Sequence, residues 1–460
     1  MKTSEIKLQV LINATVLLIL VYTVAASAMH AGPLISRGKT VKASNGTAAS
    51  LVDGKYGTGV FTFSANSWFA IDIGTGPTNI FISWNTTSYS WSDKIADPGR
   101  SDCKQSPSYP ENYTIQTSAN STDGADGDWT TMATVTGNSV TARGHQIEFT
   151  GMRWVKMAVT TSNRTNDKID EVEVFNTSDG ADDTWFFAGT SISANAYKSF
   201  PTLKTFPSWV TEAHGEFSPV MIRGGIPCIT STHFARDISM YLEAAGSCHY
   251  WAIEMGTNDA WGGTDGNVAA FKTNLQLVID SCKAHGIEPV IANVLATDSA
   301  KAGWQVNPAY LQAVSDLTKN NNLIEGPDYF AAFKANPAYL NNDGVHPGSK
   351  GSAAMHQLWA EKMESLYKAS AVNHRRGTMA TDVFCQLPVI TLSGSKSIKV
   401  SARKPGTLSL FTINGRLLNR VSFQTAGQTV LVRTFGCTLV QYRSGSGKTI
   451  VRLHSAGVSR

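Results

Sequence analysis

The sequence predicts three parts in a row: an antiparallel β-sandwich, an α/β domain on a parallel sheet, and a small C-terminal β domain. Three observations predict it. From about Leu34 to Thr177, short runs with apolar residues at alternate positions are separated by Gly, Asn, Asp and Ser turns, with no helix of normal length. From 184 to 370, apolar strands alternate with segments of helical period. From about Pro388 strand patterns return, with Asn414-Gly415 as a hairpin-turn signal. A chain of 460 residues, 42% apolar and 16% charged, has the length and composition for several packed domains.

Residues 1–28 come first. Lys2 and Lys7, the apolar run Val10 to Val24 and the small residues Ala26-Ser27-Ala28 read as a secretory signal with its cleavage site. A membrane anchor needs about 20 apolar residues, and this run is shorter and interrupted by Asn13 and Thr15. No other segment is apolar enough to span a membrane. The mature chain is therefore expected to be secreted or at the cell surface. Six cysteines (103, 228, 248, 282, 385, 437) fit an oxidising compartment, and no CxxC or Cys/His cluster suggests a metal. Cys385 and Cys437 are expected to pair.

In the β-rich region 33–177, the strands include Trp68 to Ile73, Ile80 to Trp84, Tyr113 to Gln116, Trp154 to Val159 and Ile169 to Phe175. Three stretches near the start (Ser36-Arg37-Gly38-Lys39, Leu51 to Tyr56 and Trp68 to Gly74) are followed late in the region by Arg153-Trp154-Val155-Lys156 and Ile169 to Phe175. Together they resemble the discoidin (coagulation factor 5/8 C-type) galactose-binding-like domain. The resemblance implies a jelly roll with sugar-binding loops and, in some members, a structural calcium. Tyr89, Trp91 and Tyr109, in loop-rich stretches, are the candidates for stacking on a sugar ring. Asp53 is the candidate calcium ligand, although a carboxylate before Gly is more often a turn former.

Ser178 to Asp183 reads as a polar linker. Beyond it, strands are expected at Trp185 to Ala188, Pro219 to Ile222, Tyr250 to Met255 and Pro289 to Val294. A helix is expected through Val268, Phe271, Leu275, Val278, Ile279 and Cys282, closed by Gly286, and a last one near Ser352 to Tyr367.

The first of these strands ends at Gly189-Thr190-Ser191. A serine hydroxyl needs a base, an orienter for that base, and donors for the oxyanion before it can attack an ester. Asn342-Asp343-Gly344-Val345-His346-Pro347 places a carboxylate and an imidazole three residues apart, and none of the other nine histidines lies in an Asp-x-x-His arrangement. Gly256-Thr257-Asn258-Asp259 places an amide at another strand end. Gly224-Gly225-Ile226-Pro227-Cys228 follows a third strand and can offer backbone N–H groups. These four blocks, in their order along the chain over 184–370, resemble the SGNH (GDSL-like) hydrolases. The resemblance implies a three-layer, flavodoxin-like α/β domain with Ser191 as nucleophile, His346 as base and Asp343 as its orienter. Asn258 and the Ser191 N–H would form the oxyanion hole, with Gly225 or Cys228 of the Gly224–Cys228 block. Two departures stand out. The usual Gly-Asp-Ser is Gly189-Thr190-Ser191, and Cys228 falls where a glycine is expected; a Cys228–Cys248 disulfide is one expectation there.

The last 90 residues carry 13 Lys/Arg and one acid, Asp382, while the remainder has 26 basic and 34 acidic residues. The basic residues alternate with apolar ones and match no nucleic-acid motif, so they read as the solvated face of a β domain (388–460, after a linker at 371–387). This tail resembles the sorting or anchoring domains of secreted bacterial enzymes. The expected function is a secreted serine esterase, without metal or organic cofactor, that removes acetyl groups from a plant polysaccharide such as acetylated xylan. A lipase or lysophospholipase of the same family and a catalytically inactive glycan-binding protein are the alternatives.

Overall fold

The computed structural model describes residues 29–373, apart from 46–47, 57–60, 95–102, 165–166 and 200–202, and the strands of the C-terminal region. The expected signal segment, Cys385, Cys437 and Asn414-Gly415 lie outside the described residues. The chain divides into two units, 1–370 and 371–460.

The first unit opens with strands β1 (Val41–Ala43), β2 (Phe61–Phe63), β3 (Ser67–Asp72), β4 (Asn79–Thr86), β5 (Pro110–Ser118), β6 (Thr130–Val135), β7 (Ala142–Glu148), β8 (Trp154–Ser162) and β9 (Asp167–Asn176). They form two antiparallel sheets, in the orders β1-β3-β8-β5-β6 and β2-β9-β4-β7. Alternate residues from both sheets, among them Phe69 and Ile71, Ile80, Ile82 and Trp84, Tyr113 and Ile115, and Val155, Met157 and Val159, share one core. That is the period-two burial expected of a sandwich.

Four parallel strands follow: β10 (Thr184–Ala188), β11 (Val220–Arg223), β12 (Tyr250–Ile253) and β13 (Glu288–Ile291), in the order β11-β10-β12-β13. All five residues of β10 are buried because both faces of this sheet are covered. Phe186 and Ala188 join Ile222, Trp251 and Ile253 on one face. That face packs on helices α3 (Ser231–Arg236), α4 (Ile238–Ala245), α5 (Val268–Ala284) and α7 (Pro308–Asn320). Trp185 and Phe187 join Met221, Tyr250 and Val290 on the other. They meet α1 (Ser191–Ala194), α2 (Phe206–Ala213), α8 (Tyr329–Ala335) and α9 (Ser349–Asn373). A short α6 (Ser299–Ala302) lies in the loop after β13. Helix α9 is longer than its apolar pattern suggested and ends inside the segment expected to be a linker.

The two lobes share a core rather than a tether. β4 is buried almost throughout because Phe81 leaves the sandwich core and packs, with Phe175, against the α/β side. Trp91 is fully buried there, stacked 4.8 Å from Tyr241 and tilted against Phe186 at 5.0 Å, with its indole N–H donated to the Ala142 carbonyl. Arg223 and Asp170, exposed by only 1% and 0%, form a 2.6 Å ion pair across the seam. Beside them Lys198 Nζ donates to Thr141 Oγ1 at 2.7 Å, and burial drives the lysine well below its ordinary pKa.

The stretch expected to be a polar linker is built in as well. Asp183 is buried, and its Oδ1 accepts from Trp185 Nε1 (2.9 Å) and the Tyr367 hydroxyl (3.1 Å), while Oδ2 has no partner. Burial pushes this carboxyl up to about 8. A carboxyl whose folded pKa is raised contributes stability that is lost as pH climbs from the ordinary carboxylate value toward 8, at up to roughly 1.4 kcal/mol per pH unit. Asp183→Asn is expected to flatten the fall in Tm between pH 5 and pH 8, read by thermal melts across that range. An unchanged slope would show that Asp183 is ionised when folded.

In the second unit, seven strands between Val389 and Leu453 form two antiparallel sheets, one of three strands and one of four. Among the described residues no helix is long and apolar enough to cross a membrane.

Candidate active site

The ends of β10, β11 and β12 and the loop before α9 meet around the Thr190–Ala194 segment that carries Ser191. The serine is the first residue of α1, and the turn before it is shaped by its neighbours. Thr190 caps the helix from an extended conformation, its hydroxyl accepting from the Ile192 N–H at 3.2 Å. Thr190, not Ser191, does the capping, so the Ser191 hydroxyl is left for chemistry. At Gly189 a side chain would run into Ser193 Oγ and come within 2.8 Å of Glu254 Oε2, which is why the strand must end on glycine.

Ser191 Oγ lies 2.9 Å from His346 Nε2, and His346 Nδ1 lies 2.7 Å from Asp343 Oδ2. Asp343 Oδ1 accepts from the Val345 and His346 N–H groups at 2.9 and 3.0 Å. Partial burial alone would raise the Asp343 carboxyl, but these backbone bonds and the imidazole outweigh it and hold it below the ordinary value. An ionised carboxylate only accepts, so the ring proton sits on Nδ1, Nε2 is the acceptor, and the Ser191 hydroxyl donates to it. The loop is fixed from outside: Gly344, at φ +70°, gives its carbonyl to the Asp298 N–H at 2.8 Å.

Asn258 follows β12. One hydrogen of its side-chain amide goes to the Ile229 carbonyl at 2.8 Å, leaving the second for a ligand. The next residue, Asp259, accepts from the Ser231 N–H at 3.1 Å through both oxygens, tying this turn to the loop after β11. In that loop Cys228 has φ +64°, the left-handed region that favours glycine. The cysteine has thus taken up the backbone of the glycine expected there. It is held by a disulfide to Cys103, in the sandwich lobe, and not to Cys248, which is a free buried thiol. The Cys228–Cys248 expectation is corrected: Cys248 is buried between α4 and β12, within the apolar core. Gly225, at φ +136°, gives its carbonyl to the Trp91 N–H at 2.9 Å, and a Cβ there would stand 2.7 Å from the Ala194 N. The loop after β11 is therefore pinned from the sandwich at two points.

The missing aspartate of the Gly-Thr-Ser turn has a substitute that sequence reasoning overlooked. Glu254, buried at the end of β12, accepts from the Thr190 N–H (3.1 Å), the Thr190 hydroxyl (3.0 Å) and the Ser193 hydroxyl (3.1 Å), all through Oε2. Burial raises its pKa, and Oε1 has no partner. A carboxylate inside the apolar run Tyr250 to Met255 was the available signal.

The three aromatic candidates separate. Trp91 is sealed in the seam, and Tyr109 is buried with its hydroxyl donated to Asp93 Oδ2 at 2.8 Å, so neither ring faces a ligand. Tyr89 is half-buried, and its hydroxyl accepts from Asn195 Nδ2 at 3.0 Å. The same Nδ2 lies 3.0 Å from the Ser191 carbonyl, so this sandwich residue stands one bridging group from the Ser191 backbone. Asp53 closes a turn on the Lys55 N–H at 2.8 Å. Calcium takes about six to eight oxygens, and among the described residues no group of three acidic, imidazole or thiol side chains is placed to hold a metal.

No family model matches the chain, and no curated protein matches it. Solved structures do. The chain is similar to a lipase/acylhydrolase from Enterococcus faecalis, at 17% identity over 40% of this chain and 95% of that one, with a TM-score of 0.34. It is similar to an acetylxylan esterase from Geobacillus stearothermophilus at 16% identity over 40% and 93%, with a TM-score of 0.31. A chitosan-binding module of a Paenibacillus chitosanase/glucanase is 20% identical over 30% and 98%, with a TM-score of 0.24. These likenesses are too weak to carry a function; the geometry of the site carries it.

Proposed function

We propose that this chain is a secreted serine esterase of the SGNH type that removes acetyl groups from a polysaccharide such as acetylated xylan. The observation that carries the reaction class is the unbroken relay from Asp343 through His346 to Ser191, at 2.7 and 2.9 Å. His346 Nε2 takes the hydroxyl proton as Ser191 Oγ bonds to the acyl carbon. The charge that develops on the carbonyl oxygen is met by the free hydrogen of the Asn258 amide and the Ser191 N–H, with the N–H of Gly225 or Cys228 beside them; the Ile226 N–H is taken by the Gly189 carbonyl. His346 then protonates the departing sugar oxygen, which leaves as a hydroxyl, and a water molecule, deprotonated by the same ring, releases acetate from the acyl-serine as the proton returns to Ser191 Oγ.

Two features support the substrate and the compartment. The sandwich lobe, read as discoidin-like and glycan-binding, is fused to the hydrolase at the active-site loops. The Cys103–Cys228 disulfide suits an oxidising compartment, as the sequence pattern of residues 1–28 does. The test is acetate release from acetylated xylan, set against hydrolysis of long-chain acyl esters. Acetate release with weak long-chain activity is expected. Preference for long chains makes the protein a lipase-type esterase, and no hydrolysis of any ester leaves a glycan-binding protein.

A further inference from the structure

Trp261 is one of two large apolar side chains exposed among the described residues, at 52%, and the fold gives it no core to fill. It stands three residues past Asn258, at most about 11 Å of chain from the amide assigned to the oxyanion. Gly262 and Gly263 follow it, both at φ +77°. Only glycine takes two such steps at little cost, and the turn they make leaves the indole in solvent. The ring leans on Trp304, centroid to centroid 5.3 Å at an angle of 51°.

Trp304 is itself anchored. It packs against both apolar clusters of the α/β domain, and its carbonyl accepts from Thr297 Oγ1 at 2.6 Å. The next residue, Asp298, donates its N–H to Gly344, inside the loop that holds Asp343 and His346. The indole pair is thus connected through backbone to both sides of the catalytic relay: to Asn258 by the turn that carries Trp261, and to His346 by the loop that carries Trp304.

A single flat ring in the open does not suit an acyl chain or a protein partner, which need a broad apolar patch. The other exposed apolar side chain, Leu277, lies on α5, and residues 264–267 beyond the glycines are Thr, Asp, Gly and Asn, all exposed. An aromatic face bordered by hydrogen-bonding groups matches a pyranose, which has apolar C–H faces and a rim of hydroxyls. We propose that Trp261, backed by Trp304, is a sugar-binding platform that holds a xylopyranose ring of the substrate beside Ser191. It rests on the esterase reading above, and it names the part of the molecule that selects the alcohol side of the ester.

The experiment has two arms. In the first, full-length Ser191→Ala protein is titrated with xylohexaose and followed by tryptophan fluorescence, with and without Trp261→Ala. Loss of the platform is expected to weaken binding roughly ten-fold, and Trp261→Phe to retain most of it. Unchanged affinity in Ser191→Ala/Trp261→Ala, or no binding by Ser191→Ala, overturns the platform. In the second, kcat/KM is measured on acetylated xylohexaose and on p-nitrophenyl acetate. Trp261→Ala is expected to lower the ratio of the two about ten-fold, through KM for the oligosaccharide. An unchanged ratio, with both substrates losing equally, means that Trp261 only props the Asn258 turn, and the platform falls. If the wild type hydrolyses neither ester, the esterase reading fails, while the first arm still decides whether Trp261 holds a sugar.

Discussion

Ser191→Ala is expected to remove turnover, lowering kcat on p-nitrophenyl acetate by roughly 10⁶-fold, while leaving the fold intact. The expectation rests on what the serine does and on what it does not do. Its hydroxyl donates to His346 Nε2, but the helix N-terminus behind it is capped by Thr190, whose hydroxyl accepts from Ile192. Deleting Oγ therefore removes the nucleophile without removing a structural hydrogen bond of the turn. Circular dichroism and the melting temperature should match the wild type. Mass spectrometry after mixing with substrate should show a +acetyl species on the wild type alone. Asp343→Asn is the companion: an amide in place of the carboxylate no longer demands a proton on Nδ1, so the imidazole loses the tautomer that accepts from Ser191, at a cost of about 10⁴-fold. A Ser191→Ala protein retaining more than about a hundredth of wild-type kcat would sink the relay as the reaction's engine.

The second large effect is expected at Cys103. The disulfide joins residues 125 apart and clamps the loop after β11 from the other lobe. On the chain-entropy account, closing so long a loop is worth at most about 5 kcal/mol, so Cys103→Ser should lower Tm by many degrees. It should also lower kcat by about ten-fold or more, because it frees a non-glycine residue held at φ +64° in the loop that faces the oxyanion. Stability and catalysis separate in Cys103→Ser/Cys228→Gly: glycine adopts the left-handed backbone without a crosslink, so kcat should recover while Tm stays low. If Cys103→Ser keeps its full kcat, the loop needs no clamp, and the bond is structural only.

Much of the candidate site's geometry was legible because it is local. Asp343 and His346 sit in one turn, and the strand ends at Gly189 and Gly256 are marked by glycine after an apolar run. The parallel sheet was legible for the same reason, as buried strands alternating with helical periods. What sequence could not supply was contact across long separations. Cysteine connectivity has no signature in spacing, so Cys228 could be matched to Cys248 as readily as to Cys103. Trp91 reads as a loop aromatic, and only the arrival of Tyr241 and Phe186 makes it core. Glu254 hides inside an apolar strand, its purpose visible only once Thr190 and Ser193 stand over it. The six residues 178–183, four of them Ser or Asp, resemble a tether by composition, yet Asp183 is among the buried side chains.

That shared core has a consequence for how such a protein meets a polymer. A binding lobe on a flexible tether explores a sphere, and its enzyme cuts anywhere inside it. Here Trp91, the Arg223–Asp170 pair and the Cys103–Cys228 bond leave the sandwich no sphere to explore. Any glycan held on its surface lies at one fixed distance and one fixed angle from Ser191. On the proposed function the molecule would act as a ruler, with the interval between a sugar bound by the sandwich and the ester at Ser191 set by the fold.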